Sequence, residues 1–548
     1  MPANPKVIRL GERFEGLKAL RSGHEPMMQE AQTYVTPNRA EFRSTGSTTS
    51  TRNQDSTKNL YDHTAVWANQ MFANGMASYL MPKSDRWAYL KPAGKPSADL
   101  SDEELVFLEK LSNRVSHILA LPSSQFYSAG HEAFHDLGSF GTSVTYVDRT
   151  GPVIAFRSCP LADCYFDVNH IGQVDTMFYR KYISTKALIQ QFPEVVNVEG
   201  FNPEETTQKH ELVYSVEPNK DIQAQHNGKV GNTRPFVTTY YLPALHHILK
   251  EGGISYFPYL VPRWMVIAGE VWGRGPATTC MAQIRVINKM VKELLISAEI
   301  SNAPPLVAEE DSIMLPISYG SRQILFHEQG TNVPTPLVSG SQPQITLELL
   351  RDYRDQISRS FFTDQIIRDQ KKERQSVIEI QDDRSQMLQQ IGPLLARMET
   401  ELLAPAIEQV IDHMQDKNDP LFDEMPDSLS EGSMEIVFTS PAAHAQYASG
   451  VGNISGFLQD IAPMIPHKPE LLENIEANEM FNELARMRNV SRKIIVSKEK
   501  VEEKAAAQQE QQMQEQQMQQ LPQMAGAMKD VAQARSSDPE GMGELLNM

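Results

Sequence analysis

Residues His131-Glu132-Ala133-Phe134-His135 form a literal H-E-x-x-H. On a helix this spacing places two imidazoles on one face with a carboxylate beside them, the arrangement that holds zinc and its attacking water in metallopeptidases. The extended form of the motif needs a glycine and then a third histidine; Gly138 falls at the glycine position, but Gly141 stands where the histidine ligand belongs. A metal there needs a third ligand from elsewhere in the chain. The same residues also read as a plain structural helix that turns Phe134 and Leu137 inward and is terminated by Gly138 ahead of a strand. A zinc metallopeptidase using His131, Glu132 and His135 and a purely structural helix both stand on the sequence alone.

Other chemistry-bearing residues are sparser. The run Gly273-Arg274-Gly275-Pro276 lacks the Lys-Ser/Thr of a phosphate loop and reads as a turn before a helix. Asp163, Asp167 and Asp175 could in principle share a magnesium ion, but their spacing matches no known loop geometry and they read as solvated turn residues. Arg368, Lys371, Lys372 and Arg374 form a basic cluster between two helical patterns, by itself a solvated face. Cys159, Cys164 and Cys280 show no C-x-x-C pairing, which argues against a disulfide framework or a cysteine zinc site and fits assembly in a reducing cytoplasm.

At 548 residues the chain exceeds what one core usually organises, so several modules are expected. Hydrophobic residues at 40% and charged residues at 22% are ordinary for a folded protein. The net charge of -18 lacks the basic footprint of a protein that grips DNA through many phosphates. It is compatible with DNA sliding past and equally with an acidic enzyme. Neither a signal-like apolar start nor a long apolar run is present, so no membrane insertion is expected from the sequence itself.

The elements that must position these residues follow from periodicity. Residues 1 to about 43 alternate in helical fashion, and Ser44 to Lys58 reads as a polar loop. A buried helix is expected from Leu60 to Leu80, stopping near Pro82, with a short strand at Arg86 to Leu90. Ser101 and Glu104 form a capping box ahead of a stripe of Leu105, Leu108, Leu111 and Val115. Strands are expected at Thr142 to Val147, Val153 to Arg157, Thr176 to Tyr182 and Phe236 to Leu242. Two amphipathic helices, one through Ile284, Ile287, Val291, Leu294, Leu295 and Ala298 and one through Leu347, Leu350, Tyr353, Ile357 and Phe361, bracket a proline-rich insertion. A long helix from about Val377 to Met414 is kinked at Pro393 and Pro405, followed by a strand at Met434 to Thr439 and further helices to Lys504. The Gln/Met-rich tail has no stripe to bury and reads as a frayed helix or as disordered.

Five regions, in order, resemble one known family. Leu60-Tyr61-Asp62 with Leu80-Met81-Pro82 and Trp87, Phe140 through Tyr146, Val271-Trp272-Gly273-Arg274-Gly275-Pro276, and Glu373 through Ile380 with Ile391 through Met398 and Glu401 through Pro405 are similar to the portal, or head-to-tail connector, family of short-tailed, podovirus-type bacteriophages. Ser440-Pro441 and Asn489 through Val496 resemble its C-terminal region, although the family often has Gly-Val-Pro where this chain has Asn489-Val490-Ser491.

The resemblance implies an α+β, mainly helical portal fold with wing, stem, clip and crown, assembled as a ring around a central channel. It maps the wing to 1–277, the first stem helix to 278–301, the clip to 302–342, the second stem helix to 343–362, the tunnel loop to 363–376, the kinked helix and wing return to 377–439, the crown to 440–507, and the tail to 508–548. It implies a non-enzymatic virion protein without cofactors, at the portal vertex, assembled in the host cytoplasm. The expected partners are about a dozen copies of itself, double-stranded DNA in the channel, the terminase large subunit, tail adaptor and tail tube proteins, and major capsid and scaffolding proteins. Arg368, Lys371, Lys372 and Arg374 would lie on the tunnel loop and touch passing phosphates. Besides the metallopeptidase, a helical scaffold or tail component without a channel is a third reading.

Overall fold

The computed structural model describes residues 5–39, 56–83, 86–93, 100–205, 208–219, 234–302, 306–307, 335–336, 343–363, 392–430 and 434–439. All of them belong to the first of two contact units, Met1–Ser449. The basic cluster, the expected crown and the tail lie outside the described residues.

Two helices open the chain, α1 (Pro5–Ser22) and α2 (Glu25–Tyr34). In α1, Val7, Leu10, Phe14, Leu17 and Arg21 recur every three or four residues, so they share one face, and all are buried. That face packs on Tyr165, Phe178, Val213 and Tyr241 of a five-stranded antiparallel sheet. Each aliphatic or aromatic side chain so buried contributes about 1.5–3 kcal/mol relative to exposure.

Next come α3 (Thr64–Leu80), strand β1 (Ala88–Pro92), α4 (Asp102–Ala120) and α5 (Phe126–Phe140). Ser101 and Glu104 make the expected capping box, Ser101 Oγ accepting from the Glu104 amide at 3.3 Å and Glu104 Oε2 from the Ser101 amide at 2.8 Å. Strands β2 (Thr145–Asp148) and β3 (Ala155–Ser158) belong to a three-stranded sheet completed by β9 below. The five-stranded sheet then forms in sequence order from β4 (Cys164–Val168), β5 (Val174–Ser184), β6 (Lys209–Pro218), β7 (Phe236–Leu242) and β8 (His247–Ile254), with α6 (Thr185–Gln191) following β5. Strand β9 (Tyr259–Leu260) pairs with β2. The three cysteines are buried free thiols.

After the short α7 (Pro276–Thr279), α8 (Met281–Asn302) and α9 (Pro343–Ser360) bracket the expected insertion. Of that insertion, β10 (Leu306–Val307) and β11 (Thr335–Pro336) are described; they pair antiparallel and close its neck. Burial falls off along both helices: Ile284, Ile287, Leu350, Ile357 and Phe361 are buried, whereas Leu295 and Leu347, expected on the apolar faces, are about half exposed at 51% and 48%. The pair is moored at its base and free of the core beyond it.

The expected long helix is described from residue 392, and it runs through Pro393 without interruption. A regular helix over 392–398 passes into five π-helical residues, Glu399–Leu403, and then into α10 (Ala404–Asp416). Pro405, which has no amide hydrogen to donate, sits at the start of α10, and Thr400 Oγ1 bonds back to the Ala396 and Arg397 carbonyls at 3.1 Å each, so the break has two local causes. After α11 (Asp427–Ser430), β12 (Met434–Phe438) pairs antiparallel with β1. The strand expected at 86–90 is observed at 88–92, the span that pairs with β12, and Thr439 just past β12 still bonds the carbonyls of Arg86 and Trp87. Among the described residues, no helix is long and apolar enough to cross a membrane.

Candidate functional site

The H-E-x-x-H segment does lie on a helix, α5, but the helix is built into the protein. His131 Nε2 donates to Asn74 Oδ1 at 2.8 Å, and His135 Nδ1 accepts from Asn69 Nδ2 at 2.9 Å. Both partners are on α3. These bonds put the proton of each neutral imidazole on Nε2, so neither ring turns an Nε2 lone pair toward a shared ion. Glu132 faces Arg39 at 3.4 Å, and Arg39 Nε lies 3.0 Å from buried Asp136. Burial, with help from Arg39 and His131, lowers the pKa of His135 to about 4. Burial outweighs Arg39 at Asp136 and raises its carboxyl to about 7. No group of three or more His, Cys, Asp or Glu residues among the described residues could hold a metal ion.

Gly138 does not end α5, as the sequence reading expects. It lies inside the last turn of the helix, where α3 packs against it: a Cβ there would lie 2.0 Å from Asn69 Oδ1. The terminator is Gly141, at φ +76°. The three aspartates do not converge as a site: Asp163 pairs with Arg180 at 3.7 Å, Asp167 caps the Val168 amide at 2.9 Å, and Asp175 accepts from Thr176 Oγ1 at 2.9 Å. Arg368, Lys371, Lys372 and Arg374 lie outside the described residues.

What the structure does bring together is a set of distant segments. Gly141 and the Gly273–Gly275 turn interlock backbone against backbone. A Cβ on Gly141 would lie 2.2 Å from the Arg274 carbonyl carbon, and one on Gly275 would lie 2.4 Å from the Leu137 carbonyl oxygen. Thr142 Oγ1 accepts from the Gly273 amide at 2.9 Å, and the Trp264 amide donates to the Gly141 carbonyl at 2.8 Å. This junction sets the start of α7 and α8.

The Leu60-Tyr61-Asp62 segment clamps both bracketing helices. Asn288 Oδ1 on α8 accepts from the amides of Tyr61 and Asp62 at 2.7 and 3.2 Å, and its Nδ2 donates to the Asn59 carbonyl at 3.0 Å. Asp62, 4% exposed at its side chain, pairs with Arg354 of α9 at 2.8 Å. Its burial by itself raises the carboxyl pKa, but hydrogen bonds from Thr64 and Arg354 outweigh that and leave it below the usual carboxylate range.

A third mooring holds the kinked helix. Arg263, nearly buried, donates from Nη2 to Glu401 Oε1 at 2.8 Å and to the Gly172 carbonyl at 2.7 Å, while its amide donates to Glu401 Oε2 at 2.8 Å. Arg149 holds the far end of that helix through Asp412 at 3.2 Å and through Asp416, and its guanidinium lies over Tyr256. Sequence reasoning missed these arginines, and also Arg21, which at 1% exposure donates to the carbonyls of Leu161, Ala162 and Cys164 and to the Tyr165 hydroxyl. One signal was available: Arg21 falls on the apolar stripe of α1, where a charge persists only if its donors are satisfied.

The described side chains thus tie segments into a rigid base for a helix–insertion–helix unit, the organisation of a structural subunit. Residues 8–495 match the family model described as bacteriophage head to tail connecting protein, and the chain belongs to that family. A portal protein of Salmonella phage epsilon15 is 24% identical over 571 residues, covering all of this chain and 99% of the relative. A probable portal protein of Bordetella phage BPP-1 is 22% identical over 463 residues, covering 80% of each chain. The phage head-to-tail connector resemblance read from five separate segments is therefore correct.

Proposed function

We propose that this chain is the portal subunit of a short-tailed phage, forming a ring of about twelve copies around the channel through which DNA enters and leaves the head. The observation that carries the reading is the family match over residues 8–495, joined to full-length similarity with the epsilon15 portal protein. Portal proteins are structural, and the role is mechanical: the chain itself hydrolyses nothing. The clip, within 302–342, docks the terminase large subunit during packaging and tail adaptors afterwards. Capsid and scaffolding proteins meet the ring at one vertex of the virion, after assembly in the host cytoplasm.

The helix pair α8 and α9 supports a ring, because Val286, Leu295, Ile296, Leu347 and Leu349 are each about 40–50% exposed on it. A monomer leaves these to water, whereas ring neighbours cover them through a heterologous contact that closes. The interlocked glycines and the Tyr61–Asn288 and Asp62–Arg354 ties keep the pair at a fixed angle to its base, as neighbours in a ring require. Negative-stain electron microscopy of the purified full-length chain tests the proposal. End-on views with a central channel about as wide as a duplex are expected; uniformly monomeric particles at a concentration adequate for assembly would overturn it.

A further inference from the structure

The chain leaves the described residues after Thr363 and re-enters them at 392. Its departure is unusual. Helix α9 is stopped by Phe362 at φ +58°, in the left-handed region that bulky side chains avoid. The turn is held by its surroundings: Phe361 is fully buried with its ring 6.4 Å from that of Phe72, the Phe362 ring lies 6.2 Å from Trp264, and Thr363 Oγ1 donates to the Ser358 carbonyl at 2.9 Å.

Its return is unusual too. The helix over 392–398 runs straight into the π-helical Glu399–Leu403, whose Glu401 is gripped by Arg263. π-Helical residues inside an α-helix are rare and occur frequently at functional sites. The two grips are consecutive residues. Arg263 holds the returning end through Glu401 and Trp264 the departing end through the Phe362 ring, from adjacent positions of one short irregular segment. That segment is itself pinned: Arg263 bridges Thr142, the Trp264 amide bonds the Gly141 carbonyl at 2.8 Å, and Met265 bridges Arg274.

We propose that Arg263–Trp264 is a coupling bar that makes the left-handed end of α9 and the π-helical stretch respond together. A displacement of either end shifts the bar on its glycine junction and reaches the other end through the neighbouring side chain. The inference uses the portal reading for its purpose, since the chain between the two ends would then be the part that meets DNA. The geometry and the test are independent of that reading.

The test is hydrogen–deuterium exchange of the full chain, read on peptides covering 357–363 and 399–404. Substituting Glu401→Gln, which keeps shape and removes the charge facing Arg263, should speed exchange at 399–404 and also, by about fivefold or more, at 357–363. Reciprocally, Phe362→Leu should speed exchange at 399–404. A control, Asp412→Asn with Asp416→Asn, breaks the Arg149 ties on the same helix and should loosen 404–416 while leaving 357–363 unchanged. Effects confined to each substitution's own end, or a control that loosens 357–363 as much as Glu401→Gln does, would overturn the proposal, whether or not the protein forms rings.

Discussion

A glycine that permits a turn and a glycine that permits contact are distinguishable by substitution. Gly141 and Gly172 both have positive φ, but Gly172 faces open space whereas Gly141 lies against the Arg274–Gly275 backbone. Gly172→Ala should therefore cost only the left-handed penalty, about 1–2 kcal/mol. Gly141→Ala should cost that plus about 1–3 kcal/mol for pushing the two turns apart, read as a larger loss in thermal midpoint. A second residue-scale prediction concerns His135. With its folded pKa at about 4, below the 6.5 of an unperturbed imidazole, the unfolded chain takes up the proton first as pH falls. The stability from keeping His135 neutral is present above about pH 6.5 and is lost between there and about pH 4. Asp136, raised to about 7, acts in the opposite direction over the same range. It is common to parent and variant, so a comparison at each pH isolates the histidine. His135→Gln, which cannot titrate, should lose less midpoint than the parent between pH 6.5 and 4 in denaturant titrations. The motif that looks most like an active site would then report on helix packing.

At the scale of elements, the base of the helix pair depends on one amide. Asn288 satisfies two backbone donors and one carbonyl of the 59–62 segment. Asn288→Ala should leave the buried Asp62 amide without its partner and cost about 1–3 kcal/mol, measured by chemical unfolding, with a smaller loss for the charge-conserving Arg354→Lys at the more exposed end of the clamp. Element types were readable where local causes dominate. The box at Ser101–Glu104 is made within four residues, and β7 at Phe236–Leu242 matches the expected strand because β-branched and aromatic residues bounded by turns need no distant information. The partnerships were not readable. Nothing local at Arg86–Pro92 says that residues 434–439 will cover it, and this distant strand is what shifted β1 by two residues. Gly138 is ambiguous for the same reason: a packing glycine in the last turn and a terminating glycine look alike until the helix that packs on it, α3, is in place. The apolar patterns of α8 and α9 were right in period, but Leu295 and Leu347 lie past the point where the core ends, which periodicity alone does not mark. Arg263, Arg149 and Arg21 were invisible as anchors because acceptors that define them, Glu401, Asp412 and the Ala162 carbonyl, lie more than 100 residues away in sequence.

For the whole molecule, the telling property is an imbalance of charge. If the chain forms the proposed channel, its net charge of -18 opposes adhesion of the phosphate backbone during transit. On that proposal, retention of packaged DNA would fall to clustered cations, and Arg368, Lys371, Lys372 and Arg374 form such a cluster in the sequence between residues 363 and 392. Phosphate contacts carry no sequence information and weaken steeply with salt because each displaces condensed counterions. Lys371→Glu with Lys372→Glu should therefore leave ring formation intact, lower the yield of DNA-filled heads, and make the remaining heads lose DNA at lower salt than the parent. Each outcome separates a different role. Rings that fail to form would place the cluster in assembly, whereas normal rings with normal packaging and retention would remove these lysines from the path of the DNA. Reduced retention whose size changes with salt would identify the contact as electrostatic, since a packing defect has no reason to respond to the Debye length.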